Sequence, residues 1–399
     1  MNYKVITPCG TEIQARNMLG GVAQSFTPFC VRCPRFLELN DNTLVYSFEA
    51  KYDSQLDEAP SCQIIMHSHD GGQTWGEARM MTDPEIPHTI SGAPVYDEVN
   101  DKLILFGRTR HWRPGKEEDR LLSEQDQLHG KVMERFWISQ SADGGLEWSP
   151  YREIFIENTP ENWTIQHCPT PGIGIQLKHQ KDPSKNGRLI VPCNHAQTVD
   201  NAPVWGAHLM YSDDFGDTWQ MGGIIDYVGA NESTLAELAD GTLVYNCRNQ
   251  GGIPANLRIQ GFSTDGGETF FDQTTIDTLY DPICHAGFAS AVVDGKQYIF
   301  LTAPSGEPAP ESICFGQPVR WGKREALILY ASADGGKTYK NILSICEKGE
   351  FAAYSALLAT RDGRLFCAWE SGPDIGMYKD ILYKALDLKE LAKLCKGQM

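Results

Sequence analysis

Short apolar or alternating runs recur along the whole chain, each closed by Asp, Asn or Gly. Five of them, CQIIMH, RFWISQ, AHLMY, LRIQGF and ALILYA, lead into octets of one pattern: SHDGGQTW from Ser68, SADGGLEW from Ser141, SDDFGDTW from Ser212, STDGGETF from Ser263 and SADGGKTY from Ser332. Alternation bounded by turn residues predicts strands. Within the octet, a short carboxylate can bond nearby amides and Gly can take positive φ. Ser-x-Asp-x-Gly-x-(Thr/Glu)-aromatic is therefore expected to be a hairpin turn between two strands, with its aromatic folded back onto the adjoining unit.

Upstream of each octet lie two more strand-like runs joined by a turn. They are VRCPRFLEL and TLVYSFEA in the first unit, GAPVYDE and KLILFGR in the second, and GIGIQLK and RLIVPCN in the third. STLAELA and TLVYNCR form the fourth unit, and FASAVVD and YIFLTAP the fifth. A sixth, YSALLAT, LFCAWES and DILYKAL, lacks the octet and is one strand short. The N-terminal run YKVITP can supply that strand, and DLKELAKLC reads as a short amphipathic helix. Repeats of four short antiparallel strands predict an all-β fold, a six-bladed β-propeller occupying residues 1–399 as one domain. The charged stretch from Arg110 to Arg135 is an insertion in the second unit, expected as a solvated loop or helix, or a lid on the rim.

Composition narrows the partners. Of 399 residues, 52 are Asp or Glu and 35 are Lys or Arg, giving a net charge of −17. Such a chain is repelled by phosphate backbones, which argues against nucleic acid. No apolar run is long enough to span a bilayer. The N-terminal residues lack a basic stretch followed by an apolar core, so a cytoplasmic location is expected, or a secreted one if a leader has been removed. Twelve cysteines are scattered rather than clustered. Cys30 and Cys33 form the one C-x-x-C, with no second pair to complete a zinc site; buried thiols in a reducing compartment are expected.

Antiparallel order places the start of strand one, the end of strand two and the start of strand three on one rim, opposite the octets. Arg32, Glu232 and Tyr354 stand at strand-one starts. Glu49, Arg108, His195, Arg248 and Glu370 stand at strand-two ends, and Asp57 and Arg324 precede third strands. Three arginines converging with carboxylates and a tyrosine suit one task, gripping a carboxylate through planar paired donors. Glu232 beside Tyr354 could take the phenol proton and activate a weak nucleophile, and Asp57 could protonate a leaving group. A neutral phenol suits a reacting carbon that already bears a carboxylate.

These segments resemble exo-α-sialidases (neuraminidases) of the Asp-box type, from about Phe29 to about Leu386. The octets resemble Asp boxes. Val31-Arg32-Cys33-Pro34 is similar to the motif Phe/Tyr-Arg-Ile-Pro, implying Arg32 as a carboxylate-binding arginine. NESTLAELADGTLVYNCRN implies Glu232 and Arg248; KREALILYASADGG implies Arg324, eight residues before an octet. AAYSALLATRDGRLFCAWESG implies Tyr354 as nucleophile, with Glu370 supporting Arg32. DEAPSCQIIMHS implies Asp57 as acid/base, with Asp53 as competitor. Arg35 and Arg320 compete with Arg32 and Arg324, and as non-site residues both are expected as outward surface charge. Arg108 and His195 are expected either in the substrate groove or in rim and core packing.

The resemblance implies retaining hydrolysis of terminal α-ketosidically linked sialic acids on glycans, with no metal or organic cofactor. Two rival readings stand beside it. One keeps the enzyme but changes the outcome: a trans-sialidase, an anhydro-forming enzyme, or a hydrolase of a related nonulosonic acid such as Kdn. The other is a non-catalytic Asp-box propeller that binds glycans or proteins, which gives no reason for three arginines and a Glu/Tyr pair on one rim.

Overall fold

Each octet closes on its own Asp. In the first, Asp70 Oδ1 accepts from Thr74 N (2.9 Å) and Ser68 Oγ (2.8 Å), Asp70 Oδ2 accepts from Thr74 Oγ1 (2.6 Å), and Ser68 Oγ accepts from Gly72 N (2.8 Å). The turns from Ser141, Ser212, Ser263 and Ser332 have the same Ser–Asp and Ser–Gly bonds. Gly71 and Gly72 both have positive φ, at 70° and 79°, a conformation that a side chain would strain. The octet aromatics reach back one unit, as expected. Trp219 packs edge-on against Phe106 at 4.6 Å, and Tyr339 donates to Gln260 Oε1 at 2.8 Å.

This computed structural model describes residues 4–7, 12–17, 23–57, 59, 61–81, 90–119, 122–200, 202–314 and 317–397. Its sheets form six blades around an axis, a six-bladed β-propeller. The innermost strands are Cys30–Glu38, Val95–Asp97 with Ile90–Ser91, Trp163–Pro169 with Ile175–Gln176, Ala230–Glu237, Gly287–Val293 and Ala353–Ala359. Lys4–Thr7 pairs antiparallel with Asp380–Asp387 at the outer edge of the last blade. The C-terminal helix is Leu388–Gly397. The Arg110–Arg135 insertion prolongs the hairpin Lys102–Trp112/Val132–Ser141 and carries a short helix, Glu124–Leu128, capped by Ser123.

Two details differ from the pattern-based reading. The third blade's main innermost strand is Trp163–Pro169, whereas GIGIQLK contributes only Ile175–Gln176. Its inward face buries Trp163, Ile165 and Pro169, with one polar ring, His167, interrupting the apolar pattern. The first blade carries two further strands, Ile13–Asn17 and Ala23–Phe26, beyond Arg79–Met80.

Inside that third blade His167, His195 and His208 form a hydrogen-bonded chain. Thr159 Oγ1 donates to Ile156 O (2.9 Å), so it must accept from His167 Nε2 (2.7 Å). His167 Nδ1 then accepts from His208 Nε2 (2.9 Å), and His208 Nδ1 from His195 Nδ1 (3.0 Å). One tautomer of each neutral ring satisfies the whole chain. Trp163 stacks on His195 at 3.6 Å, and a Cβ at Gly206 would lie 2.3 Å from His195 Nε2, so glycine makes room for the ring. Burial pushes the rings down, His167 to about 4, His195 to about 3 and His208 well below its ordinary value.

Two outcomes are expected. Asp214→Ala removes the acceptor of Thr218 N, Thr218 Oγ1 and Ser212 Oγ, and should cost about 1–3 kcal/mol in urea unfolding. An unchanged midpoint would show that the turn does not need its carboxylate. The histidine chain should make the protein acid-sensitive. Its folded pKa values lie below the unfolded ones, so its stabilisation is intact above about pH 6.5 and is lost as the pH falls toward about 4. Each ring contributes up to about 1.4 kcal/mol per pH unit, and His195→Gln should flatten the dependence of the urea midpoint between pH 7 and 5. An equally steep dependence in that variant would exclude His195 as a source.

Candidate active site

The rim expected from strand order exists. Arg32 lies opposite Glu49 in the first blade, while Ser68 pairs with Leu44 at the other end of the same strand. The residues that converge there come from irregular backbone. The pairing register shifts between Arg32 and Arg35, between Ala230 and Ser233, and between Ala353 and Ser355. Arg32, Glu232 and Tyr354 therefore each sit at a β-bulge that opens an innermost strand. Cys33 has φ 54° and Tyr354 φ 25°, left-handed conformations that non-glycine residues hold only when packing enforces them. Tyr354 N is held by Cys284 Sγ at 3.3 Å, and Cys284 N by Asp281 Oδ1 at 3.0 Å.

Tyr354, Glu232 and Arg248 form one unit. The Tyr354 hydroxyl donates to Glu232 Oε1 at 2.8 Å. Arg248 Nη1 donates to Glu232 Oε2 at 2.8 Å and to the Tyr354 oxygen at 3.0 Å. Arg248 Nη2 donates to Gln250 Oε1 at 2.7 Å. Burial opposes the charge on Glu232, but Arg248, His285 and the hydrogen bonds from Tyr354 and Arg248 together outweigh it and hold the carboxyl below its usual range. Burial and the Glu232 charge push the Tyr354 phenol well up. The resting pair is thus an ionised carboxylate beside a neutral phenol, with a guanidinium touching both.

Arg32 Nε donates to Glu370 Oε1 at 2.8 Å, and the same oxygen accepts from Cys33 N at 2.7 Å. Glu370 is fully buried, and its pKa is raised by burial despite Arg32. Arg32 and Arg324 each lie 5.2 Å from the centroid of the Tyr354 ring. Arg324 Nη2 donates to Ile283 O at 2.7 Å. Asp57 leans on Arg32 Nη1 at 3.6 Å, with a side chain 79% exposed. Seven expected residues therefore meet around one ring: Arg32, Asp57, Glu232, Arg248, Arg324, Tyr354 and Glu370.

The others go elsewhere. Asp53 is exposed and shares no ion pair with the three arginines, unlike Asp57. Arg320 is exposed beside Glu311. Arg35 is not outward surface charge: it is buried, bonded to Gln63 Oε1 (2.7 Å) and Pro171 O (2.9 Å). The bulge at Cys33 adds one residue between Arg32 and Arg35, which puts two positions of opposite parity on one face. Glu49 pairs with Lys51 and Ser61. Arg108 bonds Glu134, and His195 belongs to the histidine chain of the third blade.

Sequence reasoning missed several groups on this rim. Tyr378 packs its ring 3.8 Å from the Arg32 guanidinium, Gln250 steadies Arg248, and Trp321 lies 5.8 Å from Arg248. His285 lies parallel to Tyr354 at 6.1 Å. The strand-order rule that selects Asp57 and Arg324 also selects Tyr378, which precedes the last strand of the sixth unit.

Comparison with known proteins bears on this geometry. A sialidase of Micromonospora viridifaciens is 27% identical over 350 residues, 86% of this chain and 50% of that protein. A sialidase of Paraclostridium sordellii is 26% identical over 391 residues, 91% of this chain and 86% of its own length. Mouse Sialidase-3 is 28% identical over 268 residues, 63% of this chain and 60% of that protein. The chain thus spans only part of the Micromonospora and mouse proteins. Among solved structures, Trypanosoma rangeli sialidase in complex with sialic acid aligns with TM-score 0.72 at 18% identity, over 99% of this chain and 60% of that one. The intramolecular trans-sialidase from Ruminococcus gnavus aligns with TM-score 0.67 at 18% identity, over 90% and 95%. At such identities the structural likeness is one of fold. Residues 42–367 match the BNR repeat-like domain, so the chain belongs to that family, and with these relatives it is a member of the exo-α-sialidase family.

Proposed function

We propose that the protein is a retaining exo-sialidase that hydrolyses terminal α-ketosidically linked sialic acids from glycans. The observation that carries this reading is the unit Tyr354–Glu232–Arg248 set beside Arg32 and Arg324. Its curated relatives are sialidases, which supports the substrate class.

The sugar's carboxylate is held by Arg32, Arg248 and Arg324, which places the anomeric carbon over Tyr354. The phenol oxygen attacks that carbon while its proton passes to Glu232, 2.8 Å away. Arg248, already donating to the phenol oxygen, stabilises the charge that grows there as the proton leaves. Asp57 gives its proton to the departing glycosidic oxygen, and the aglycone leaves. Asp57 then removes a proton from water as it attacks the anomeric carbon. The bond to Tyr354 breaks, and Glu232 returns the proton to the phenolate. A tyrosine replaces the second carboxylate of the usual two-carboxylate scheme, an exception known for sialidases. The reason is electrostatic: a carboxylate nucleophile would be repelled by the substrate's own carboxylate.

The test is release of a fluorophore from an α-linked sialoside, run beside the Kdn analogue, with the sugar product identified. Release of the free sugar acid is expected. Tyr354→Phe should lower kcat/KM by roughly a thousand-fold, the scale of losing a covalent nucleophile. No turnover of either substrate by the pure protein would sink the hydrolase reading. An anhydro sugar, or transfer without hydrolysis, would redirect it. Full activity in Tyr354→Phe would remove the nucleophile from its role.

A further inference from the structure

The arginines differ in how their charge is met. Arg32 has Glu370 and Arg248 has Glu232. Arg324 has no carboxylate within ion-pair distance among the described residues; its Nη groups donate to Ile283 O and to the hydroxyl of Tyr378. Two guanidiniums flank the Tyr354 ring and repel each other until a ligand arrives. Tyr378 touches both, with its π face 3.8 Å from Arg32 and its oxygen accepting from Arg324 Nη1 at 2.5 Å.

The loop that carries Tyr378 is built in place. Lys379 N donates to Ser371 O (2.9 Å), and Lys379 O accepts from Val31 N (3.1 Å), which pins the loop's foot to the strand of Arg32. A Cβ at Gly372 would lie 1.7 Å from Met377 O, so the loop folds tightly on itself. The ring of Tyr378 stands edge-on to buried Phe351 at 5.0 Å. Gln55 clips the loop to the segment bearing Asp57: its Oε1 accepts from Tyr378 N (3.2 Å), its Nε2 donates to Gly376 O (3.2 Å), and its backbone oxygen accepts from Arg32 Nη1 (3.3 Å). These contacts describe a fixed wall rather than a cover that must swing away.

We infer that Tyr378 is a positioning residue for carboxylate recognition, holding Arg32 and Arg324 at the spacing that a single ligand carboxylate bridges. It does so as a neutral group: its face supports one cation and its oxygen anchors the other, leaving the net positive charge for the ligand. Burial keeps the phenol neutral, pushing it up despite Arg324 and Arg32. The inference rests on the sialidase reading above.

The experiment compares wild type, Tyr378→Phe and Tyr378→Ala with a fluorogenic sialoside, and with free sialic acid and its methyl ester as competing ligands. Tyr378→Phe keeps the ring but loses the acceptor for Arg324. It should raise KM and the inhibition constant of the free acid roughly ten-fold, the scale of one hydrogen bond to a charged group, with kcat within about two-fold. Tyr378→Ala should raise both roughly a hundred-fold, having lost the face over Arg32 as well. In both variants the preference for the acid over its ester should shrink. A purely structural role would weaken acid and ester alike, and that result overturns the proposal. Tighter binding of the acid by either variant also overturns it, because Tyr378 would then be a plug. An active wild type with unaffected variants sinks this role alone, whereas an inactive wild type sinks the sialidase reading and the inference with it.

Discussion

Removing a guanidinium from water is costly, and this propeller gathers three at one end of its axis. Two are compensated in the fold, Arg32 by the fully buried Glu370 and Arg248 by Glu232. The third, Arg324, is met by a phenol oxygen and a backbone carbonyl, dipoles that carry no net charge. Such a group is not neutralised until an anion arrives. The pocket is thus one negative charge short, and Asp57, exposed and 3.6 Å from Arg32, covers the deficit only loosely. A monocarboxylate fits that deficit, whereas a polyanion meets the field of a chain carrying −17 overall.

Holding like charges together requires rigid support, and the two rims of the ring divide the labour. At the octet rim, Ser and Asp side chains close the turns, and aromatics such as Trp219 and Tyr339 tie their blades to the ones before. At the other rim the innermost strands open irregularly. A regular strand would alternate its side chains between faces; the bulges at Arg32, Glu232 and Tyr354 re-aim them toward one point. The positive φ of Tyr354 is held by Cys284, whose amide is fixed by Asp281, and Asp281 is itself bonded by Asn249 N beside Arg248. Tyr354 and Arg248 thus hang from one buried carboxylate.

The division explains what the sequence made legible. The octets repeat because their bonds are local, so five copies of Ser-x-Asp state their own turn and its rim. Strand order then assigns Arg32, Glu232, Arg248, Arg324, Tyr354 and Glu370 to the opposite rim, and these residues do meet. What stayed hidden follows from irregular backbone. Arg35 reads as outward surface charge, and the bulge before it turns it inward. Trp163–Pro169 has an inward face of Trp163, Ile165 and Pro169 interrupted by His167, whose polarity is met by nearby Thr159 and by His208 on another strand. Tyr378 sits where strand order does point, but its contacts with Arg32 and Arg324, which come from other blades, cannot be read from its own segment.

In the proposed mechanism, the same charge deficit bears on how Glu232 would accept the proton of Tyr354. At rest Arg248 depresses it, so a carboxylate held below its usual range is a poor acceptor for a phenol pushed well up. A ligand carboxylate on the three arginines adds the missing negative charge beside this pair. It draws on the donors of Arg248 and screens Arg32 and Arg324, and both effects raise the proton affinity of Glu232. The added charge also opposes a full phenolate, so the proton is best moved in concert with bond formation to the anomeric carbon, where Arg248 can still donate to the oxygen. On this account the cluster does more than hold the sugar. The base is weak when the pocket is empty and gains strength from the group that identifies the substrate, so activation of the nucleophile is tied to correct binding.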